Sequence, residues 1–380
     1  MKKKIKALHL ASFIGNIGDV INHTGARRNL KENLNFSISY KNLEFRNFFW
    51  KTSSFDEKFT DLVNKYDLLI VGGGGFFELW PKNSSTGTSF NISIENLKKI
   101  KKPILFLGLG SDIGQGTNKK NIEQFKKFIS YCNANDKIFL SVRNDGSFKI
   151  LQKILNKNQL KKIYKIPDGG FFFRKNSKKK IEKKYRIGIN LAGDMLNKRF
   201  ASNKAYLLFL RSFSKLIKKT ASKYSKIRFI FFSHIWKDYL LISNLMKFLP
   251  DKIIRENLEI SELGFKAETI KSIEKKYQKC DVILANRFHS HILAIINNLP
   301  LISICNYPQI SNFYKENKFK YPMYYSGKKK FFNNLSTSID KIYSSKKINK
   351  VYKYNLNNII KENQNTSLKI NNWLKHSLKK

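Results

Sequence analysis

The sequence predicts an α/β protein made of two Rossmann-like lobes, and three observations predict it. Short runs rich in Ile, Leu, Val and Phe alternate with longer amphipathic stretches, the rhythm of βα units and mostly parallel sheets. The rhythm breaks at Asn176-Ser177-Lys178-Lys179-Lys180, a polar, charged stretch without apolar anchors, and then restarts. At 380 residues the chain is longer than one typical domain. Two such halves joined by a linker describe a GT-B-like architecture. The expected division is 1–175 for the first lobe, 176–184 for the linker, 185–326 for the second lobe and 327–380 for closing helices.

In the first lobe, strands are expected over Ile5–Ala11, Leu43–Phe48, Asp67–Val71, Pro103–Gly108, Ile138–Val142 and Ile163–Ile166. Between them, Asn121–Cys132 places Ile122, Phe125, Phe128 and Ile129 on one helical face. In the second lobe, strands are expected over Tyr185–Leu191, Ile227–Phe232, near Ile253–Glu256, Asp281–Ala285 and Leu301–Cys305. Helices are expected near Ala205–Thr220, Ala267–Tyr277 and His291–Asn297. Beyond Gly327 the chain is rich in Lys, Asn and Ser. It still carries spaced apolar residues (Ile339, Ile342, Tyr343, Ile359, Ile360, Leu368, Trp373, Leu374), which call for helices packed on the core.

Hydrophobic residues make up 42%, with 31 Phe and 17 Tyr, so packed cores rather than disorder are expected. Lys and Arg total 73 against 27 Asp and Glu, a formal charge of +46. Such an excess suits a nucleic-acid or anionic-membrane partner. The lysines are scattered, however, in clusters such as Lys98-Lys99, Lys161-Lys162, Lys178 to Lys180 and Lys328 to Lys330. No basic stripe interleaved with stacking aromatics stands out, and no zinc-finger or RNP motif appears. The abundance of Lys, Asn, Ile and Phe together fits the drift of an AT-rich genome, so most of the charge reads as solvated surface and nucleic acid is not the expected partner. Cys132, Cys280 and Cys305 are isolated, which argues for a reduced compartment and against a disulfide framework or zinc cluster. Met1-Lys2-Lys3-Lys4 imitates a signal peptide, but the apolar segment after it is short and contains His9. No apolar run approaches the roughly 18–20 residues that span a bilayer. A cytoplasmic protein is expected.

Four segments could carry chemistry. Gly15-Asn16-Ile17-Gly18-Asp19 follows the first strand, where glycines let the backbone turn and offer amides to an anion at the next helix start. Asp19 could cap that helix, bind a ligand, or do both. Gly72-Gly73-Gly74-Gly75 follows the Asp67–Val71 strand. Four consecutive glycines are costly for folding and make sense where backbone passes close to a ligand or loop, so they are expected to line a cleft at the carboxyl edge of the sheet. Gly110 and Ser111, after the next strand, point to the same edge. The third segment, Asn286-Arg287-Phe288-His289-Ser290-His291, ends a buried strand and opens a helix. Arg287 offers a rigid fork for carboxylate or phosphate, and a histidine, here His289, is the side-chain type that can give or take a proton. The adjoining helix start also favours an anion. His291, inside the helix, is expected to be structural. The fourth segment, Ser233 to Asp238, puts His234 after the Ile227–Phe232 strand, as a packed polar group or a site residue.

Together these segments resemble the polysaccharide pyruvyl transferase family. Asn16-Ile17-Gly18-Asp19 matches its Asn-x-Gly-Asp loop, and Asp67 with Gly72–Gly75 its Asp…Gly-Gly-Gly segment. Ser141-Val142-Arg143, Pro167-Asp168, His234 with Asp238, and Arg287-Phe288-His289 before Asn298-Leu299-Pro300 follow in family order, over about residues 10–315. Two features depart from the pattern. Leu191-Ala192-Gly193-Asp194 stands where the family often has Arg, with Lys198 or Arg199 as substitutes, and Ser-x-Arg-Asp has become Ser141-Val142-Arg143-Asn144 with Asp145 one position later.

The resemblance implies phosphoenolpyruvate as donor, a glycan or lipid-linked saccharide as acceptor, and pyruvate delivered as a ketal. It makes His289 the acid/base and Arg287 the anion clamp. Donor contacts would come from Ser290, His234, Asp238 and Lys198 or Arg199. The acceptor side would be lined by Gly15, Asn16, Gly18, Asp19, Gly72 to Gly75, Gly110, Ser111 and Arg143. No cofactor or metal is called for, and peripheral contact with an anionic membrane is compatible. Two other readings stay open: a GT-B glycosyltransferase using a nucleotide sugar, for which Glu262 and Glu268 are loose ribose-binding candidates, and a non-catalytic polyanion-binding protein.

Overall fold

The computed structural model describes residues 2–173, 185–262, 267–344 and 354–379. The expected linker, 176–184, lies outside the described residues. Its first sheet holds β1 (Lys3–Ala11), β2 (Phe36–Glu44), β3 (Leu68–Gly72), β5 (Ile104–Leu109), β7 (Ile138–Arg143) and β8 (Ile163–Ile166). These run parallel in the order β2-β1-β3-β5-β7-β8. A two-stranded parallel ladder, β4 (Phe77–Glu78) with β6 (Ser111–Asp112), extends the carboxyl edge.

The second sheet is also fully parallel. It holds β9 (Arg186–Ile189), β10 (Arg228–Phe231), β11 (Leu258–Ile260), β12 (Val282–Ala285), β13 (Leu301–Cys305) and β14 (Met323–Tyr325), in the order β11-β10-β9-β12-β13-β14. In each sheet the chain first builds outward on one side of its opening strand and then returns to the other side. That creates a crevice beyond the strand ends, between β1 and β3 and between β9 and β12, where ligands bind in open α/β sheets. The two crevices face each other.

Core strands match the sequence expectation within a residue or two; the misplaced elements lie at the sheet edges. Leu43–Phe48 was expected as a strand, but β2 ends at Glu44 and Phe45–Phe49 is helical. As an edge strand, β2 buries little beyond Phe36 and reads polar, so the apolar run that drew attention is the helix after it. Ile253–Glu256 was also expected as a strand and lies instead in the helix Asp251–Asn257. Pro250 precedes that helix, Asp251 sits in its first turn, and Arg255 pairs with Asp251 at 2.6 Å, all helix-start or helix-face signals. The edge strand follows it at Leu258–Ile260. The helix expected at His291–Asn297 begins earlier, at Phe288.

The closing helices serve different lobes. Phe331–Ser344 buries Phe331, Leu335, Ile339 and Ile342 in the second lobe's core. Asn357–Ser377 returns to the first lobe, where Ile370 and Leu374 join its core. Asn363 and Asn29 exchange amide hydrogen bonds of 2.7 and 2.8 Å, Asn371 donates to the Asn33 carbonyl, and Trp373 donates to that of Asp136. A third apolar cluster bridges the lobes, joining Ile17, Val20, Ile21 and Phe171 to Phe288, Ile292 and Phe313. Among the described residues no helix is long and apolar enough to cross a membrane.

Candidate active site in the interlobe cleft

The cleft contains two adjoining cavities of about 190 and 450 Å³. The smaller is lined from the first lobe by Asn16, Glu78, Gly110, Asp112 and Arg143, and from the second by Asp194, Arg199, His234, Arg287, His289 and Tyr307.

Arg287 follows β12 and stands at the N-cap of the helix Phe288–Ile296, which no side chain caps. Its backbone N–H donates to Asn190 Oδ1 at 2.9 Å, fixing the loop to the end of β9. The guanidinium grips Asp238 through Nε (2.7 Å) and NH2 (2.5 Å) and reaches Asp194 at 3.0 Å. Asp238 is fully buried and also receives the N–H groups of Gly193 and His234, each at 2.9 Å. Burial alone would lower the Arg287 pKa, but the two carboxylates more than reverse it. Asp194, partly exposed, is shared with Arg199 at 3.2 Å, and burial, which would raise its pKa, is outweighed by the two arginines.

His289 meets the first lobe directly. Its Nε2 faces Asp168 Oδ1 at 3.4 Å, and a Cβ on Gly18 would stand 2.4 Å from its Nδ1, so only glycine at 18 leaves room for the ring. Asp168 is bonded by Asn22 Nδ2 at 2.5 Å and by the Gly170 N–H at 2.8 Å, with Arg143 NH1 3.5 Å away. Burial would raise its pKa; His289, Arg143 and the Gly170 N–H outweigh that and hold the carboxyl below its usual range. A depressed carboxylate stabilises the fold above its unfolded pKa, about 4, and that contribution is lost as pH falls further. Asp168→Asn is therefore expected to flatten the pH dependence of stability below about pH 4, read by urea unfolding at a series of pH values.

Arg143 lies across Gly110, where a Cβ would come within 2.5 Å of NH2, and its Nε bonds Asp145 at 2.6 Å. The displaced acid noted at 145 thus holds the arginine from one position further on. Gln309 of the second lobe bonds the same carboxylate at 2.7 Å.

Several expected site residues stand elsewhere. Lys198 is exposed and lines neither cavity, whereas Arg199 lines the smaller one with its side chain only 5% exposed. Ser290 and Asp238 lie beneath the cavity. Ser290 Oγ meets the Tyr277 hydroxyl at 2.9 Å, and that hydroxyl meets His234 Nε2 at 3.0 Å. Burial first, then Arg287 and His289, push the His234 pKa well below 6.5, so the ring is neutral.

Gly74 and Gly75 line the cleft, but Gly72 and Gly73 do not: Gly72 packs on the Leu107 carbonyl, and Gly73 takes a φ of 88° behind it. Ser111 is buried and its backbone N–H donates to Ser147 Oγ. Gly15 makes the turn at φ 78°, outside both cavities. Asn16, not Asp19, caps the first helix, accepting the Gly18 N–H at 2.9 Å, while the Ile17 N–H donates to the His234 carbonyl at 3.1 Å. These first-turn amides are therefore spent, and Asp19 pairs with Arg46 at 3.2 Å. His291 is structural as expected, bonded to the Arg287 carbonyl and Ser303 Oγ, each at 2.8 Å.

Sequence reasoning did not select Asp168, Asp194, Glu78, Asp112 or Tyr307 as site residues. Of the ribose candidates, Glu262 pairs with Lys276 at 2.9 Å and lines neither cavity, and the Glu268 side chain lies outside the described residues.

Two parallel sheets meeting across a charged cleft define a GT-B-like α/β protein. The solved structures agree on the fold. The S. aureus MnaA–UDP co-structure is 10% identical over 97% of both chains, with a TM-score of 0.57. UDP-GlcNAc 2-epimerase from Neisseria meningitidis is 13% identical over 96% of this chain and 100% of that one, with a TM-score of 0.54. UDP-GlcNAc 2-epimerase from Methanocaldococcus jannaschii is 12% identical over 90% and 93%, with a TM-score of 0.52. At such identities the likeness concerns the fold alone. No curated protein matches the sequence. The model of the polysaccharide pyruvyl transferase family matches residues 16–309, and the chain belongs to that family, whose members are transferases.

Proposed function

We propose that the chain transfers a pyruvyl group from phosphoenolpyruvate to two hydroxyls of a glycan or lipid-linked sugar, forming a ketal. The observation that carries this reading is the His289–Asp168 pair, formed only where the two lobes meet and set beside Arg143, Arg199 and Arg287. Protonation of the donor's methylene makes C2 electrophilic, and an imidazolium held by a buried carboxylate is suited to give that proton. Asp168, 3.4 Å from Nε2, keeps the ring oriented.

The donor's phosphate and carboxylate need cations. Arg287 is locked to Asp238, so the exchangeable partner is Asp194, the more exposed of its two carboxylates. A bound donor anion takes Asp194's place between Arg199 and Arg287. The uncapped start of the Phe288–Ile296 helix adds amides that favour departing phosphate. The scheme uses no metal or cofactor. The protein's +46 charge also suits an acceptor held at an anionic membrane.

The test is phosphate release from phosphoenolpyruvate in the presence of candidate glycans. Acceptor-dependent release by the wild type, abolished in His289→Ala and Arg287→Ala, is the expected result. No release, together with thermal stabilisation by a nucleotide but not by phosphoenolpyruvate, would instead favour nucleotide-sugar chemistry.

A further inference from the structure

The larger cavity adjoins the one that holds His289. Its walls include Phe45, Phe49, Phe76 and Trp80, together with Arg46 and Lys237. Phe49 and Trp80 meet edge to face at 6.1 Å, and Phe49 is 47% exposed, an aromatic corner open at the mouth. Aromatic faces beside hydrogen-bonding groups suit the C–H faces and hydroxyl rims of a sugar ring.

Both cavities share a seam, and three carboxylates line it: Asp19, Glu78 and Asp194. Asp19 is taken by Arg46, and Asp194 by Arg199 and Arg287. Among the described residues no ion pair engages Glu78. Its Oε2 accepts the Trp80 indole N–H at 3.0 Å, so the aromatic corner itself holds the carboxyl. Gly75 keeps the other oxygen accessible, since a Cβ there would stand 3.1 Å from Oε1.

The β4–β6 ladder pairs Glu78 with Asp112 in register, which sets two acidic side chains side by side. The groups facing Glu78 are Asp112, which accepts the Tyr307 hydroxyl of the second lobe, Trp80 on its own segment, and Arg143 and Asp19 further off. Burial and then Asp112 raise the Glu78 carboxyl to about 7, with the indole bond and Arg143 opposing.

We infer that the larger cavity seats the acceptor as a pyranose against Trp80 and Phe49, and that Glu78 takes the protons of its attacking hydroxyls. The inference rests on the pyruvyl-transfer reading and assigns its acceptor half. In the first step a hydroxyl oxygen bonds to C2 of the donor, its proton passes to Glu78, and the methylene carbon gains a proton from His289. In the second, the other hydroxyl oxygen bonds to C2 and its proton leaves by the same route. The bond from C2 to the phosphate oxygen breaks, and phosphate departs with the electron pair. Of the two hydroxyl protons, one restores His289 and the other leaves with phosphate.

The experiment measures phosphate release from phosphoenolpyruvate with methyl glycosides of glucose, galactose, mannose and N-acetylglucosamine. Glu78→Gln is expected to lower kcat by about 10²–10⁴-fold while leaving the phosphoenolpyruvate KM unchanged. The acid limb of the wild-type pH profile, near pH 7, disappears with it. Trp80→Ala raises the glycoside KM about tenfold and leaves the donor KM alone. Trp80→Phe keeps the ring but removes the indole bond that holds the carboxyl down, so the acid limb moves to higher pH. Melting curves check that each variant folds.

Wild-type kcat in Glu78→Gln, or a Trp80→Ala effect on the donor KM instead of the glycoside KM, overturns the inference. If no glycoside supports release but one quenches a fluorescence component that Trp80→Phe lacks, pyruvyl transfer is wrong and the sugar seat stands. With neither release nor quenching, the seat itself is overturned.

Discussion

Replacing Arg287 by alanine is expected to destabilise the protein by about 3–5 kcal/mol, as well as to remove activity. The cost arises at Asp238, which is 0% exposed and loses both arms of its bidentate partner. The Gly193 and His234 N–H groups still reach it, but they bring no full charge to set against its own. Asp194→Asn removes the partly exposed partner and should cost under about 1 kcal/mol. Urea unfolding midpoints measure both. Equal small losses would mean that Asp238 is reached by water, and that the Arg287–Asp238 pair does not brace the loop between β12 and its helix.

The second large effect is expected at Gly18→Ala, a single methyl group. Its Cβ would lie 2.4 Å from Nδ1 and 2.8 Å from Cγ of His289, closer than any carbon contact allows. The helix containing residue 18 would gain about 0.5–1 kcal/mol from losing a glycine, so the fold is expected to hold. His289 must then move away from Asp168, and an acid displaced by even 1 Å loses about 10²-fold in rate. Steady-state kinetics alongside a melting curve give the answer. An unchanged kcat in a folded Gly18→Ala protein would mean that the observed place of His289 is not the one it works from.

Glu78 carries an opposing balance between stability and activity. A carboxyl raised to about 7 in the folded protein ionises near 4.5 when unfolded, so ionisation penalises the fold increasingly as pH rises from 4.5 through 7. Glu78→Gln removes that penalty. The variant expected to lose catalysis is also expected to melt higher than the wild type at pH 8.

The repeating core was legible in the sequence because buried parallel strands have to be apolar on both faces. Ile138–Arg143 and Leu301–Cys305, buried along their whole length, stand where the pattern put them within a residue. The edge strands β2 and β11 were not, because an edge strand covered on fewer sides can be polar and short. The Arg287-to-His289 loop was legible as a strand end turning into a helix. Of its acidic partners, Asp238 was selected but Asp168 and Asp194 were not, since they follow other strands and meet the loop only in space. One signal was available. In a chain with only 27 acidic residues, Asp19, Glu78, Asp112, Asp168 and Asp194 all follow strands or short loops at one edge of the sheets.

The helix Asn357–Ser377 sets the order in which the molecule can be finished. Asn29 meets Asn363 across 334 positions, and Asn35 meets Asn371 across 336. On the ribosome, the first lobe therefore emerges with Leu30, Leu34 and Phe36 beside a gap that only Ile370 and Leu374 can fill. At about 5–20 residues per second, that apolar seam waits for about 10–40 s, within reach of chaperones, while the second lobe is still being made. Synthesis of the second lobe is thus a precondition for sealing the first, and a chain that ends after residue 344 is expected to hold both sheets yet remain sticky along the flank of the first lobe.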